Sequence, residues 1–304
     1  MSWIRPLLNH YLRLTEKPHL QKAQDPQALR RSFRIKARLF FHPPWGTRIT
    51  ATELGAGEAL HVTPPGDLSD VVLLYFHGGG YVFGAPETHS AMVSSLARRV
   101  RARAVLPRYP LAPENPCPAA ADFAEAAYHA ARAKHPAARI VVGGDSAGGG
   151  LALTLLARLL DKGAPLPACV FAFSPLTDLS FSGESIRTNA QTEAVLPVAR
   201  IPDMARMYLN GTDPSDPDVS PLFARFAGAP PVWITAGDTE ILLDDSRRMV
   251  DRMTEQGVAV TYVEERDLPH VWPIFHNLLP EARATLDNLA VWITAQASSS
   301  DPTL

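Results

Sequence analysis

The sequence predicts an α/β fold in which helices cover both faces of one open, mostly parallel β-sheet. Short apolar runs alternate along the chain with longer segments whose apolar residues recur at helical spacing, which is typical of such sheets. Runs such as 71–76 and 168–173 are apolar throughout, as expected of strands covered on both faces. The 304 residues contain no internal repeat and no linker-like stretch, so one large domain accounts for most of the chain.

The composition excludes several classes of protein. The formal net charge of −2 argues against a nucleic-acid partner held by counterion release. The two cysteines are too few for a disulfide framework, and no His/Cys cluster or phosphate-binding glycine loop is present, so no metal or cofactor is expected. The N-terminus has no signal-peptide pattern and no apolar run approaches transmembrane length, so we expect a cytoplasmic protein.

The first 45 residues predict amphipathic helices without a catalytic pattern. Apolar residues recur at helical spacing from Trp3 to Leu14, and a second helical stretch covers residues 26–41. A stripe of this kind usually faces a core, although it can also lie on a membrane surface. We therefore expect a structural flap or a lid over a pocket, and no stable membrane association.

The first part of the sheet leads into a glycine run. Residues 49–62 suggest a hairpin, and the apolar run 71–76 continues directly into His77-Gly78-Gly79-Gly80. A glycine run lets the backbone approach a ligand and point N–H groups at it, so this loop predicts an oxyanion hole, with His77 orienting the loop. The pattern then predicts a helix over 86–101, a strand over 102–106 and a helix over 118–133.

A second glycine-rich turn carries the candidate nucleophile. The apolar run 139–142 ends in Gly143-Gly144-Asp145-Ser146-Ala147-Gly148, and a helical segment follows over 151–160. The pattern Gly144-x-Ser146-x-Gly148 between a strand and a helix is typical of a nucleophilic serine on a sharp turn. Free N–H groups at the start of the helix favour a negative charge that develops there.

The remaining chain alternates again after an irregular stretch. The periodicity weakens over 177–226, which indicates an insertion of the kind that covers substrates. The last predicted strand, 258–263, is an edge that can pair with its symmetry mate in a homodimer. The other predicted elements are a strand over 231–236 and helices over 244–256 and 272–295.

Candidate catalytic residues collect directly after the predicted strands. Ligands bind such sheets at the carboxyl ends of the strands, where Ser146, Asp238, Glu240 and His270 all lie. A serine needs a base to take its proton, and the base needs a carboxylate to hold it. His270 lies on a loop after the last strand and is the predicted base, because His276 falls inside a predicted helix. Either Asp238 or Glu240 can be the acid.

These motifs together resemble the bacterial hormone-sensitive-lipase-like esterases of the α/β-hydrolase superfamily. The resemblance rests on His77-Gly78-Gly79-Gly80, on the Gly-Asp-Ser-Ala-Gly-Gly run around Ser146 and on Leu268-Pro269-His270. It implies the α/β-hydrolase fold, with Ser146 as nucleophile and His270 as base. When the family's acid motif is laid on residues 240–244, Glu240 takes the catalytic position, and we favour it over Asp238.

The resemblance also implies how the rest of the site is built. The oxyanion hole would consist of the N–H groups of Gly78, Gly79 and Ala147. A cap would combine residues 1–45 with an insertion near 180–215, over a catalytic domain within residues 46–304. Aromatic residues that are candidates for the substrate pocket are Phe83, Phe40, Phe41 and Trp45.

We therefore expect a serine carboxylesterase that hydrolyses small-molecule esters of short- to medium-chain acids through an acyl-enzyme. Lactones are a related substrate class, since ring opening uses the same acyl chemistry. The same triad would also serve an amidase or an acyltransferase. A ligand-binding relative without catalysis is the remaining alternative, and the presence of Ser146, His270 and an acid argues against it.

Overall fold

One eight-stranded sheet organises the computed structural model, which describes residues 2–299. Its strands are β1 (Arg48–Glu53), β2 (Glu58–Thr63), β3 (Val71–Phe76), β4 (Arg103–Pro107), β5 (Arg139–Asp145), β6 (Cys169–Phe173), β7 (Val232–Gly237) and β8 (Val260–Glu265). They lie in the order β1-β2-β4-β3-β5-β6-β7-β8. β2 pairs antiparallel with both β1 and β4, and all later neighbours pair parallel. The predicted α/β fold with one mostly parallel sheet is confirmed.

Helices flank this sheet. Within the described residues the α-helices are α1 (Ile4–Leu14), α2 (Glu16–Lys22), α3 (Pro26–Phe40), α4 (Pro86–Val100), α5 (Ala119–Lys134), α6 (Ala147–Asp161), α7 (Ser185–Thr188), α8 (Ile201–Leu209), α9 (Leu243–Glu255) and α10 (Pro280–Ser299). Residue 1 and residues 300–304, which end the two predicted domains, lie outside the described residues.

The continuous apolar run of β3 feeds two separate cores. Side chains alternate across a strand, so Val72 and Leu74 pack on the side of α5 and α6, while Leu73 and Tyr75 pack on the side of α4 and α10. All six β3 residues are buried. Because both faces are covered, the strand has no polar side, and its carboxyl end is held rigidly where the glycine run begins.

The N-terminal helices pack over the carboxyl end of the sheet. α1 buries Leu8 and Leu12 against Trp272. α3 begins at Pro26 because the Asp25 carboxylate accepts hydrogen bonds from two N–H groups of the first turn and proline suits that position. These helices contribute much of the lining of the cavity described below.

The end of the chain differs from the prediction. A single helix was expected over 272–295, but the structure has a short 3-10 helix, Trp272–Phe275, followed by α10 from Pro280. Proline lacks an N–H group and fixes its own φ, so it fits the first turn of a new helix better than the interior of a continuous one. His276 therefore lies in the connection, and its ring Nδ1–H donates to the carbonyl oxygen of Ile274 (3.2 Å).

The strand predicted at 258–263 is β8, at one edge of the sheet. Its pairing with a second copy stays a prediction. None of the described helices combines the length and apolar character needed to cross a membrane.

Candidate active site

Ser146 lies at the tip of a strained turn between β5 and α6. Its φ of 53° and ψ of −122° are unfavourable for a residue with a side chain. The turn is held because the Ser146 N–H donates to the Phe173 carbonyl (2.8 Å), and the Ser146 carbonyl accepts from the N–H groups of Gly150 and Leu176. This conformation points the serine away from the regular backbone of the helix that follows.

The two glycines that flank the serine are required by close backbone contacts. A Cβ on Gly144 would collide with the carbonyl oxygen of Gly148, and a Cβ on Gly148 would collide with the carbonyl oxygen of Phe76. The obstructing atoms belong to the backbone and cannot rotate away. The spacing Gly-x-Ser-x-Gly therefore allows α6 to start directly against the ends of β3 and β5.

His270 is held by Glu240 in a buried pair. The distance between His270 Nδ1 and Glu240 Oε2 is 2.6 Å, and the residues are 6% and 1% exposed. The other carboxylate oxygen accepts from Ser174 Oγ (2.7 Å) and from the Gly237 N–H (2.6 Å). Burial is the largest single influence and lowers the pKa of His270. The charge and hydrogen bond of Glu240, together with the charges of Glu193 and Asp145, outweigh it, so the net pKa is raised above the ordinary value.

The second ring nitrogen of His270 is not used by this pair. When Nδ1–H donates to Glu240, Nε2 is left as a hydrogen-bond acceptor. Nε2 is buried and has no hydrogen-bond partner within residues 2–299. Ser146 and His270 line the same cavity, although no hydrogen bond joins the serine hydroxyl to Nε2 in this conformation. The arrangement leaves an unpartnered basic nitrogen, among the described residues, on a histidine that lines the same cavity as the serine.

The structure separates the two candidate acids. Asp238 Oδ1 accepts from the N–H of Asp267 (2.6 Å) and so joins the loop after β7 to the loop after β8. The Asn189 side chain donates to the carbonyl oxygens of both Asp238 and Glu240. Of the two carboxylates, only that of Glu240 contacts His270.

The predicted oxyanion donors need one correction. The Gly78 N–H already donates to Asp145 Oδ1 (3.0 Å), so it is not free for a ligand. No described acceptor takes the N–H groups of Gly79 or Gly80, and both residues line the cavity beside Ser146. The Ala147 N–H lies in the first turn of α6, where N–H groups have no intrahelical acceptor. The donors available are therefore those of Gly79, Gly80 and Ala147.

Sequence reasoning missed the role of Asp145. Its buried carboxylate accepts from Tyr75 Oη (2.7 Å) and from the Gly78 N–H, and lies 3.2 Å from His89 Nε2. Burial alone would raise its pKa, but His89 and Tyr75 hold the pKa below the ordinary value, so the group is a carboxylate. One anion thus connects the serine turn to the glycine loop. The position of an acidic residue directly before the candidate nucleophile was the feature of the sequence that could have indicated this role.

His77 is structural, as expected from its place at the start of the loop. Its ring stacks on Tyr109 with 4.4 Å between ring centroids, and its Nδ1 lies 2.8 Å from the Gly78 carbonyl oxygen. Burial lowers its pKa to about 3, which keeps the ring neutral. The Tyr109 hydroxyl donates to the His77 carbonyl (2.7 Å) and fixes the loop from below.

Glu193 is a second buried carboxylate that the sequence did not reveal. Its Oε2 accepts from the N–H of Ile241 (3.0 Å), and its Oε1 accepts from the N–H of Val195 (2.7 Å). Burial raises its pKa, and the nearby Glu240 charge adds to the shift, while His270 opposes it. Glu193 ties the irregular insertion to the loop of Glu240. It lies in a segment without periodicity, where no pattern distinguishes it.

The cavity above Ser146 has a volume of about 510 Å³ and a mainly apolar lining, within the range of small-molecule sites. Phe83, Phe40 and Phe41 line it as predicted. The prediction for Trp45 is wrong, because its side chain is 93% exposed and does not line the cavity. Pro43 and Pro44 follow the end of α3. The chain then turns at Trp45 and continues into β1, away from the cavity.

The described residues contain no group of three or more His, Cys, Asp or Glu side chains that could hold a metal ion. Cys117 and Cys169 are both free thiols.

Comparison with known proteins agrees with this architecture. A family model described as alpha/beta hydrolase fold matches residues 73–274. The chain is 39% identical over 216 residues to an acetyl-hydrolase of Streptomyces hygroscopicus, covering 71% of this chain and 72% of that protein. It is 30% identical over 302 residues to a carboxylesterase/phospholipase of Mycobacterium tuberculosis, covering 95% and 81%.

Solved structures give the same answer along almost the whole chain. The crystal structure of an esterase from the bacterial hormone-sensitive lipase family superposes with a TM-score of 0.91 at 32% identity, covering 98% of this chain and 99% of that one. The esterase EstE5 superposes with a TM-score of 0.92 at 32% identity, covering 98% and 100%. The chain therefore belongs to the α/β-hydrolase fold family and, within it, to the bacterial hormone-sensitive-lipase-like esterases, which are hydrolases acting on ester bonds.

Proposed function

We propose that this esterase is a serine carboxylesterase in which Ser146, His270 and Glu240 form the catalytic triad. The observation that carries the proposal is the buried His270–Glu240 pair, with 2.6 Å between Nδ1 and Oε2. His270 lines the same cavity as Ser146, and its Nε2 has no hydrogen-bond partner among the described residues. A rotation of the serine side chain toward His270 when substrate binds would complete the proton path, since catalytic hydrogen bonds often tighten only in the complex.

The reaction begins when the Ser146 oxygen attacks the ester carbonyl while His270 Nε2 takes the hydroxyl proton. Glu240 stabilises the resulting imidazolium, and the raised pKa of His270 in the folded protein fits that role. His270 then protonates the leaving alcohol, and an acyl-serine remains. Water that loses a proton to His270 releases the acid and restores the serine.

The developing oxyanion would be stabilised by the N–H groups of Gly79, Gly80 and Ala147. These donors are preorganised, because Asp145 holds the glycine loop through Gly78 and α6 fixes Ala147. A single donor of this kind is worth about 3 kcal/mol of transition-state stabilisation.

We propose that α1–α3 and the insertion near 180–215 form a cap that selects the acyl group. Phe33 and Phe40 of α3 line the cavity together with Leu196 and Met204 of the insertion. An apolar cavity of about 510 Å³ suits short- to medium-chain acyl groups. A relative that is named an acetyl-hydrolase supports a short acyl group.

The test compares wild type with Ser146→Ala on a series of aryl esters of increasing acyl length. We expect Ser146→Ala to lose activity by more than about a thousandfold, and a fluorophosphonate probe to label wild type but not the variant. Activity should be highest on short or medium acyl chains. Substantial hydrolysis by a correctly folded Ser146→Ala protein, checked by circular dichroism, would overturn the triad.

A further inference from the structure

Large apolar side chains are exposed around the mouth of the cavity. Leu7, Tyr11 and Phe40 line the cavity and are nevertheless 59%, 48% and 48% exposed, so they stand at its opening. Trp3 is the N-cap residue of α1 and lies one helical turn before Leu7, and Ile35 and Leu39 lie one turn apart on α3. The mouth patch, as we define it, consists of Trp3, Leu7, Tyr11, Ile35, Leu39 and Phe40.

The same segment is strongly basic although the chain is not. Residues 1–45 carry nine lysines and arginines and two acidic residues, whereas the whole chain has a net charge of −2. Arg31, Arg34 and Arg38 are exposed on α3. Together with Ile35 and Leu39 they follow the spacing of one helix face. Cations and apolar side chains are therefore interleaved on the outer surface beside the mouth.

Several other cations of the segment serve within the fold. Arg30 pairs with Glu114 at 2.7 Å and Lys36 pairs with Glu16 at 2.8 Å. Among the acidic side chains of residues 2–299, Arg31 approaches only Asp25, at 3.8 Å, and both side chains are more than half exposed. Arg34 is close enough to Glu87 for its charge to lower the pKa of that carboxyl. All three side chains, Arg31, Arg34 and Arg38, are exposed and therefore accessible to a partner.

These observations favour an anionic surface over a second copy of the chain. A symmetric contact through the mouth patch would place this basic face against itself, and like charges would oppose it. Basic helices with exposed Trp, Tyr and Leu side chains are typical of proteins that lie on lipid interfaces. Anionic headgroups attract the arginines, and the apolar side chains enter the boundary between headgroups and acyl chains.

We propose that the mouth patch and the arginines of α3 dock on an anionic lipid surface, from which an acyl ester enters the cavity. The proposal rests on the proposed function for the fate of the ester, but the docking itself does not require catalysis. Such docking is peripheral and salt-sensitive, and it differs from the stable association that the sequence argues against.

Vesicle binding of the Ser146→Ala protein tests the docking without consuming lipid. Sedimentation is measured with vesicles of phosphatidylglycerol and phosphatidylcholine in equal parts and with vesicles of phosphatidylcholine alone. We expect binding to the anionic vesicles at low salt, at least about tenfold weaker binding to the neutral ones, and release at high salt. Equal binding to both vesicle types, or none to the anionic ones, would overturn the proposal.

Two variants locate the contact. Arg31→Gln/Arg34→Gln/Arg38→Gln should weaken binding to anionic vesicles by about a hundredfold, since each cation contributes roughly fivefold. The matched control removes three exposed arginines from segments that lead into the amino ends of β4 and β7, namely Arg98→Gln/Arg103→Gln/Arg225→Gln. The control should bind nearly as well as the parent, and equal loss in both variants would contradict a local site.

The apolar contribution has its own variant. Ile35→Gln/Leu39→Gln keeps every charge and should weaken binding by about tenfold or more. Neither residue lines the cavity, so in the active protein hydrolysis of a monomeric soluble ester should be unchanged. Failure of that hydrolysis in the wild type would count against the proposed function, not against docking. A dimer that Ile35→Gln/Leu39→Gln dissociates, without vesicle binding, would assign the patch to a second copy instead.

Discussion

The cavity has a floor, formed by the loops at the carboxyl ends of the strands, and a roof, formed by α1–α3 and the insertion near 180–215. Different kinds of interaction hold the two in place. On the floor, the carboxylates of Asp145 and Glu240 are buried, and each accepts several hydrogen bonds from side chains and backbone. On the roof, polar anchors such as Arg30 and Lys17 reach from the N-terminal helices to carbonyl oxygens and remain partly exposed. Most of the remaining residues that line the cavity from the roof are apolar.

This difference separates the chemistry from the selection of substrate. A hydrogen bond to a buried charged group contributes about 1.5–3 kcal/mol, whereas an exposed ion pair contributes about 0–1 kcal/mol. Substitutions on the floor should therefore reduce kcat strongly. Substitutions on the roof should mainly change KM and leave the reaction steps intact.

The largest effect is expected for Glu240→Gln. An amide cannot stabilise the imidazolium of His270, so kcat should fall by about a thousandfold or more on a soluble aryl ester. Asp238→Asn is the matched control, because Asp238 accepts from the Asp267 N–H and does not contact His270. Steady-state kinetics of both variants show which carboxylate is the acid of the triad. A larger loss of kcat for Asp238→Asn would assign that role to Asp238.

Asp145→Asn should lower kcat by about ten- to a hundredfold with little change in KM. The substitution removes the charge that holds the Gly78 N–H and His89, so the oxyanion donors lose their preorganisation. Tyr75→Phe, which removes only the 2.7 Å bond to Asp145, should have a smaller effect. Kinetics are measured together with the melting temperature. A lower melting temperature with unchanged kcat would limit Asp145 to stability.

The pH dependence reports the His270–Glu240 pair directly. Only the neutral imidazole accepts a proton, so kcat/KM should fall about tenfold per pH unit below the pKa of His270. Because Glu240 raises that pKa above its usual 6.5, the midpoint should lie above 6.5 in the wild type. In Glu240→Gln the residual activity should show a lower midpoint. Identical midpoints in the two proteins would show that Glu240 does not interact with the base.

The smallest effect is expected on the roof, for Arg30→Ala. Arg30 anchors α3 to the loop after the glycine run through the carbonyl oxygens of Val82 (2.9 Å) and Ala112 (2.8 Å). Its loss should raise KM about fivefold, equivalent to about 1 kcal/mol, with kcat nearly unchanged. Arg31→Ala is the control, since its ion pair is long and exposed. A fall in kcat for Arg30→Ala as large as the rise in KM would mean that the roof takes part in the chemistry.

The sheet and the ends of its strands were predictable because they follow local rules. A strand buried on both faces must be apolar throughout, so β3 and β6 are visible in the sequence. The carboxyl ends of parallel strands meet at one edge, which brings Ser146, Glu240 and His270 to the same cavity region without knowledge of the contacts.

The remaining details depend on contacts between distant segments. The sequence does not say which N–H of the glycine run is already used, and here Asp145 uses that of Gly78. The direction of Trp45 depends on the turn that contains Gly46, whose φ of 82° lies in the left-handed region. Glu193 acquires its place from Ile241, which is remote in sequence. Such choices require three-dimensional packing, which no local pattern encodes.

The close backbone contacts at Gly144 and Gly148 limit which substitutions this enzyme can accept around its serine. Each position is blocked by main-chain atoms, so no change in a neighbouring side chain could create room for a larger residue. Laboratory evolution toward new esters should therefore leave the turn around Ser146 unchanged. Its successful substitutions should lie in the helices that cover this turn.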